Sequence, residues 1–346
     1  MINFKKLTTF LITLAITIVI GTAQSVTTST SRTDKKYESA YKSLSAKVDK
    51  EHIRKGVYYL AQDPLPRRVL NWSLPGHTLS SLEEADAWIM QQLKNSGYKT
   101  ETDETKVRAF GRDFSKKPLS SQYARPSEDA PWYTAHNIIA DKQGTDYPEE
   151  LIIILAHKDS QSWIASPGAN DNAIGTCGVL ELARVLSSYQ PKHTLRFIFC
   201  NEEHTPWTSV TAAEAIKASG LKVLAVINLD GIGVKSPQQA GHLTNVTRYT
   251  TVEGERLADL MTSLNKRLDI GLEQTKYRNE HPDDDDGSFI KAGFLWAVLN
   301  IGSMPYGDPN YHSEGDTAEK VDFENAKRVV QLTLAAILHL DAYGRP

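Results

Sequence analysis

The sequence predicts an α/β fold: a three-layer α/β/α sandwich with a mixed, mostly parallel central sheet. Three observations carry that expectation. Runs such as "LIIILAH" (151–157), "TLRFIFC" (194–200) and "KVLAVINLD" (222–230) are apolar almost throughout, the pattern of strands buried on both faces. Amphipathic stretches long enough for helices lie between them, and that alternation marks parallel strands joined by crossover helices. Several runs end on acidic residues or a histidine, at the sheet edge where open α/β folds gather their chemistry.

Taken in chain order, residues 1–23 read as a cleavable export signal. Lys5 and Lys6 precede an apolar stretch of 14 residues, Leu7 to Ile20, and the small residues Gly21-Thr22-Ala23 follow. As a helix that stretch rises about 21 Å, short of the roughly 30 Å hydrocarbon core, so a cleaved signal is preferred to a membrane anchor. The expected product is exported, periplasmic or secreted, with no stable membrane insertion after cleavage. Loss of the two lysines takes the formal charge from -3 to -5. That balance offers no basic excess for phosphate backbones, and nucleic acid is not an expected partner.

Residues 24–43 are polar and low in complexity and read as a linker, with 44–346 as a single domain. Val48, Ile53, Val57, Tyr58 and Leu60 recur at helical spacing. "TLSSLEEADAWIMQQLKNSGY" predicts a second helix, capped at Ser80 or Ser81, with Ala85, Trp88, Ile89 and Leu93 on its apolar face and a stop at Gly97. Residues 103–133 show no clear periodicity and read as a long surface excursion. "NIIA" (137–140) and "LIIILAH" read as strands joined by a hairpin-like loop, "DKQGTDYPEE". A helix over 172–188, the strand 194–200, a helix over 206–219 and the strand 222–230 follow. A helix over 252–268, a strand "LWAVLNI" (295–301) and an amphipathic helix over 323–340 complete the series. Cys177 and Cys200 both fall in apolar segments, where a buried free thiol is at least as common as a bridge.

The strand ends and following loops deliver His157 and Asp159, Asp171 in "GANDNAIG", Glu202 and Glu203 after "FIFCN", Asp230 in "NLDG", and His312 in "NYHSEGDT". Each alone has an ordinary reading as a surface pair, a turn or a capped loop. Together they bring carboxylate after carboxylate to one sheet edge, which without a cation costs several kcal/mol per buried ion. The set predicts a metal site. His157 and Asp159 point to one side of an extended chain while Lys158 points away, so Asp159 can fix the tautomer of His157. Glu202 and Glu203 point to different places, which suits one as a ligand and the other as a base. Two histidines with several carboxylates and no thiolate suit zinc or a similar divalent metal. Five ligands exceed one open zinc site and suit two metals sharing a carboxylate, about 3.5–4 Å apart.

With these motifs assembled, the sequence resembles the di-zinc exopeptidases of metallopeptidase family twenty-eight. That family includes secreted bacterial aminopeptidases, glutamate carboxypeptidases and, more distantly, glutaminyl cyclases. "AHKDS", "GANDNAIG", "NEE", "INLDGIG" and "YHSEGDT" carry the resemblance, over about residues 45–343. It implies the zinc-dependent exopeptidase fold, peptide substrates and two Zn2+ per chain. Asp171 would bridge the metals, His157 and Asp230 would complete one site, Glu203 and His312 the other, and Glu202 would be the general base. It further implies that Asp159 orients His157, that Asp316 supports His312, that Tyr311 stabilises the oxyanion, and that the Asp171–Asn172 bond is cis.

Two stretches depart from the family pattern. "HTPWTSV" follows "NEE" in place of a glycine-rich segment, so His204 and Trp207 are expected to reshape the pocket beside the base. "HPDDDDGSF" (281–289) occupies a substrate-facing position; most of its aspartates are expected in a solvated acidic turn, with attraction of a cationic amino terminus as the alternative. An aminopeptidase is expected, because only the scattered Arg248, Arg278 and Lys291 could clamp a terminal carboxylate. A glutaminyl cyclase and a non-catalytic binding ectodomain of the same fold are the alternatives, and the filled ligand positions count against the ectodomain.

Overall fold

The computed structural model describes residues 34–303 and 307–346. The export signal expected over 1–23 lies outside the described residues. The chain divides into a unit ending at Ser43 and a compact unit, Leu44–Pro346. Residues 34–45 are helical, so the polar segment expected as a linker is helix at its C-terminal end. No helix among the described residues is long and apolar enough to cross a membrane.

In the larger unit, α1 (Lys50–Ala61) and α2 (Ser81–Asn95) precede β1 (Thr100–Ala109), the short β2 (Gly111–Arg112) and β3 (Tyr123–Ala124), β4 (Tyr133–Lys142) and β5 (Tyr147–His157). Then come α3 (Ile174–Leu186), β6 (His193–Cys200), the short β7 (His204–Thr205), α4 (Thr208–Ser219) and β8 (Lys222–Leu229). The chain closes with β9 (Thr244–Tyr249), α5 (Val252–Arg267), β10 (Glu273–Arg278), α6 (Asp284–Ala292), β11 (Ala297–Ile301) and α7 (Phe323–Tyr343). Ser80 caps α2 in a reciprocal pair with Glu83, and Gly97 follows that helix in the left-handed conformation a glycine adopts without strain.

Nine strands among the described residues form one sheet in the order β10-β9-β11-β8-β5-β6-β4-β1-β7. Its centre, β6-β5-β8-β11, is parallel throughout, while β4 and β1 on one side and β9 on the other run antiparallel to their inner neighbours. The expected mixed, mostly parallel sheet is therefore present, with the parallel part in the middle. Leu151, Ile153 and Leu155 of β5 pack with Ala212 and Ile216 of α4 and Phe289 of α6. Helices α3 and α7 pack on each other and on β5. Since alternate side chains of a strand face opposite ways, these contacts make three layers.

The structure corrects the sequence reading in four places. Residues 103–133 are not wholly a surface excursion, because Thr100–Val107 pairs antiparallel with β4. Only Val107 of β1 is fully buried, so the apolar alternation that betrays a strand is missing. β4 and β5 do not form a hairpin, since β6 lies between them. β9 went unpredicted because its buried residues are largely polar: Asn245 and Thr247 both bond to Asn300 of β11. The acidic stretch is not a solvated turn, because Asp284–Ala292 forms α6 and Asp285 and Asp286 are buried in its first turn.

Lys158 does point away from its neighbours. Fully buried, its ammonium lies 2.6 Å from Asp86 of α2 and donates to Asn201 Oδ1 at 2.9 Å, pinning α2 beneath the strand that ends on His157. Lys158→Met leaves the Asp86 carboxylate buried without its cation and is expected to destabilise the fold by about 3–5 kcal/mol, whereas Lys158→Met with Asp86→Leu recovers most of that loss. Urea denaturation of the three proteins decides the matter: a double variant no more stable than the single one would overturn the prediction.

Candidate metal centre and cleft

The structure brings His157, Asp171, Glu203, Asp230 and His312 together. His157 Nε2 lies 3.1 Å from Asp171 Oδ1 and 3.6 Å from Asp230 Oδ1. His312 Nε2 lies 3.2 Å from Asp171 Oδ2 and 3.2 Å from Glu203 Oε1. Two groups of three thus form, His157–Asp171–Asp230 and Asp171–Glu203–His312, each compact enough to hold a metal ion, and Asp171 turns one oxygen towards each. The Asp171–Asn172 bond is cis, as the resemblance implied. None of the five residues is more than 8% exposed.

The donor set fits zinc. It offers imidazole nitrogen and carboxylate oxygen without sulfur, a combination suited to a borderline divalent cation. Among the described residues, Asp171 Oδ2 and Asp230 Oδ1 are buried without a hydrogen-bond donor in bonding geometry, a state that a cation would relieve. Burial disfavours the charged forms of His157 and His312, but the carboxylates around them outweigh it, and both rings hold a proton well above the usual imidazole range. Burial works against ionised Asp171 as well, yet its two imidazole neighbours hold it well below the usual carboxylate range. Burial pushes Asp230 up to about 7 against the pull of His157. Protons and metal ions therefore compete for the same atoms.

Outside these groups, Asp159 and Asp316 do work that the sequence did not assign. His157 Nδ1 lies 3.4 Å from the Asp159 carboxylate, but its hydrogen bond goes to the Asp159 main-chain oxygen at 3.2 Å. The carboxylate itself accepts the backbone N–H groups of Glu202 and Glu203, each at 2.9 Å, and His204 Nδ1 at 2.7 Å. His204 is consequently buried behind the site and does not shape the pocket, whereas Trp207 lines it. Asp316 does not support His312. Both its oxygens are taken by the amides of Asn170 and Asp171, at 2.8 and 3.0 Å. The partner of His312 Nδ1 is the Ser120 carbonyl, 3.0 Å away on the segment between β2 and β3.

Two further residues escaped the sequence reading. Gln161, fully buried, donates to Glu203 Oε1 at 2.9 Å and aims that carboxylate. Arg68, also fully buried, donates to the carbonyls of Leu60, Lys158, Pro167 and Gly168, tying the end of α1 to the loop that carries Asp159 and Asp171. Neither sits at a strand end, and a lone Gln or Arg carries no spacing signal.

A cleft of about 320 Å³ opens onto the centre. Phe110, Tyr123, Trp163 and Trp207 form its apolar wall, Glu202, Glu203 and His312 its floor, and Tyr311, Asp283 and Asp284 lie along its rim. Trp163 and Tyr123 meet the His312 ring edge-on, with centroids 5.1 and 6.2 Å away, and Tyr311 stacks on it at 3.8 Å. Glu202 Oε2 is buried without a hydrogen-bond partner among the described residues. Burial, reinforced by the negative charges of Asp284 and Asp285, raises its proton affinity well above that of an ordinary glutamate. Phe110, Tyr123, Trp163 and Trp207 stand singly and far apart in the sequence, so no pattern of residues marked the apolar wall.

Residues 137–337 match the sequence profile described as Peptidase family M28. A probable aminopeptidase of Saccharomyces cerevisiae is 27% identical over 222 residues, covering 60% of this chain and 58% of its own length. A probable zinc metalloprotease of Pyrenophora tritici-repentis is 33% identical over 250 residues, covering 60% of this chain and 52% of its own. The chain spans about half the length of the curated relatives it matches. In fold it is similar to an aminopeptidase from Aneurinibacillus sp. strain AM-1, with a TM-score of 0.62 at 19% identity over 88% of this chain and 96% of that one. It is also similar in fold to a glutaminyl cyclase of Bacteroides thetaiotaomicron, with a TM-score of 0.61 at 18% identity over 84% of this chain and 98% of that one. With its site motifs inside the matched stretch and that stretch covering more than half of its length, the chain belongs to peptidase family M28.

Proposed function

We propose that this chain is a zinc-dependent exopeptidase, an aminopeptidase that removes N-terminal residues from peptides with two Zn2+ per chain. One observation carries the reading: the two oxygens of Asp171 serve separate histidine–carboxylate groups, and an unpartnered Glu202 oxygen lies in the floor of the same cleft. His157, Asp171 and Asp230 would hold one zinc ion and Asp171, Glu203 and His312 the other, and the metals would supply an acidified water and a polarised peptide carbonyl. Glu202 takes the proton and returns it to the leaving amine, and its raised proton affinity suits a carboxyl group that must do both near neutral pH. Tyr311, stacked on His312 at the rim, offers a hydroxyl to the developing oxyanion.

The cleft's charges support amino-terminal specificity. Among the described residues that line it none is Arg or Lys, and the nearby Arg248 is engaged by Asp283 and Asp284. Asp283 and Asp284 themselves favour a cationic amino terminus over a carboxylate. The polar, small-residue end of the N-terminal apolar stretch supports export, which would place the enzyme in the periplasm or outside the cell.

Glu202→Gln is expected to lower kcat on aminoacyl-p-nitroanilides by about 10²–10⁴-fold with zinc content retained, while Glu203→Ala loses zinc. Equal zinc content in the two variants would refute this division of roles. Tyr311→Phe is expected to lower kcat by about 10²-fold with little change in zinc affinity. Pyroglutamate formed from glutaminyl peptides, with no anilide release, would move the assignment to a cyclase.

The raised imidazoles set the pH dependence of metal binding. In the metal-free chain both rings carry protons at neutral pH and must release them to bind zinc, so apparent affinity climbs as pH rises and levels off above those raised values. Calorimetric titration with zinc at pH 7 in two buffers of different ionisation enthalpy should show net proton release. A heat that does not depend on the buffer would contradict it.

A further inference from the structure

We propose that the β2–β3 hairpin, Gly111–Ala124, is a working part of the metal centre: the main-chain carbonyl of Ser120 is the positioning group of His312, so the Asp171–Glu203–His312 group is complete only with the hairpin in place. The inference rests on the reading that the two residue groups hold zinc.

The carbonyl can only accept, so its 3.0 Å contact keeps a proton on His312 Nδ1, and Nε2, which faces Asp171 and Glu203, is the nitrogen whose lone pair is exposed once the ring gives up its second proton. An imidazole ligand needs this partner to hold both its tautomer and its ring plane. The other histidine finds its partner within its own segment: His157 ends a central strand, and its Nδ1 bonds to the Asp159 main chain two residues on. His312 has no strand behind it. It sits in a loop at φ 52°, and its fixed contacts include the Ser120 carbonyl and the edge-on ring of Tyr123, both from the hairpin.

The hairpin is lightly held. Its strands share two residue pairs, Gly111 with Ala124 and Arg112 with Tyr123. Gln122, nearly buried, clamps it from inside by accepting from Arg112 Nε at 3.0 Å and donating to the Lys116 carbonyl at 3.4 Å. Phe114 and Leu119 stand out in solvent, 71% and 44% exposed. A segment with few buried contacts opens at low free-energy cost. Ser120, Ser121 and Tyr123 also line the cleft, so whatever displaces that wall displaces the partner of His312. One metal group is thus framed by the core and the other by a movable wall.

The test replaces residues 113–121 with a short glycine turn and measures zinc affinity of both sites by chelator competition, with cobalt absorption spectra of the substituted protein as a second readout. One of the two metals is expected to weaken by about 10–100-fold while the other stays within about threefold of the parent, and one cobalt signature is lost. Ser120→Ala keeps the carbonyl and is expected to retain both affinities. If the shortened chain does not fold, Gln122→Ala loosens the hairpin without touching the cleft and should weaken the same metal. Unchanged affinities in the loosened hairpin, or an equal fall at both sites, would overturn the inference. A parent chain that binds no zinc would instead overturn the metal reading beneath it.

Discussion

The site depends on a handover from main-chain to side-chain hydrogen bonding at the end of β5. Parallel pairing with β6 continues as far as Lys158 N–H, which donates to the Cys200 carbonyl at 2.8 Å. One residue later the ladder stops, and the Asp159 carboxylate takes over as acceptor for the amides of Glu202 and Glu203, in the segment that follows β6. Two consecutive acidic residues are thereby fixed by their backbone, so their side chains are free to diverge, Glu203 towards His312 and Glu202 into the cleft. Asp316 repeats the device on Asn170 and Asp171. Carboxyl groups that accept backbone amides hold the frame, and carboxylates without such donors are left for a cation.

Arg68 is the fixed positive charge behind this frame. Burial pulls it down to about 10, while Asp316, Asp159 and Asp171 act in the opposite sense, so it remains charged at neutral pH. The hydrogen bonds of its guanidinium all go to carbonyls, which leaves the aspartates uncommitted by direct pairing. The packing around it is close: a Cβ on Gly168 would lie 2.5 Å from the Asp171 carbonyl and 2.7 Å from Ser160 Cβ, and Gly168 has φ 60°. Only glycine fits the turn that lets the loop pass Arg68 and present Asp171.

The strand ends were legible because a buried parallel strand announces itself by unbroken apolar residues, and a carboxylate or histidine at its end has no structural reason to be there. That logic located His157, Glu203 and Asp230 on strand ends and Asp171 and His312 in the loops beside them, and the structure brings all five together. It failed wherever burial is polar or the strand lies at an edge. β9 hides its place in the sheet behind Asn245 and Thr247, and β1 shows mostly polar residues. Asp159 does contact His157, but its bracing of the Glu202 and Glu203 amides, and the amide partners of Asp316, escaped for a different reason. Their partners are backbone amides, and the Ser120 partner of His312 is a backbone carbonyl, so none of these contacts leaves a mark in residue type.

The electrostatics of the adjacent Glu202 and Glu203 are not set by the metal groups alone. The proton affinity of Glu202 is set from the other side as well, by α6, which the sequence presented as a surface turn. Asp284 and Asp285 of that helix add negative potential to a carboxyl group that burial already disfavours as an anion. Arg248 restrains Asp283 and Asp284 at the rim, and Cys200 donates its thiol to Asp285 Oδ2 at 3.0 Å, so the helix charges are held at fixed distances from Glu202. A glutamate beside cations alone would sit low and hold no proton. One placed between a cationic centre and an anionic helix can both take a proton and give it back, which is what the proposed role of Glu202 requires, and the anionic side is supplied by a helix whose only sequence signal was a run of aspartates.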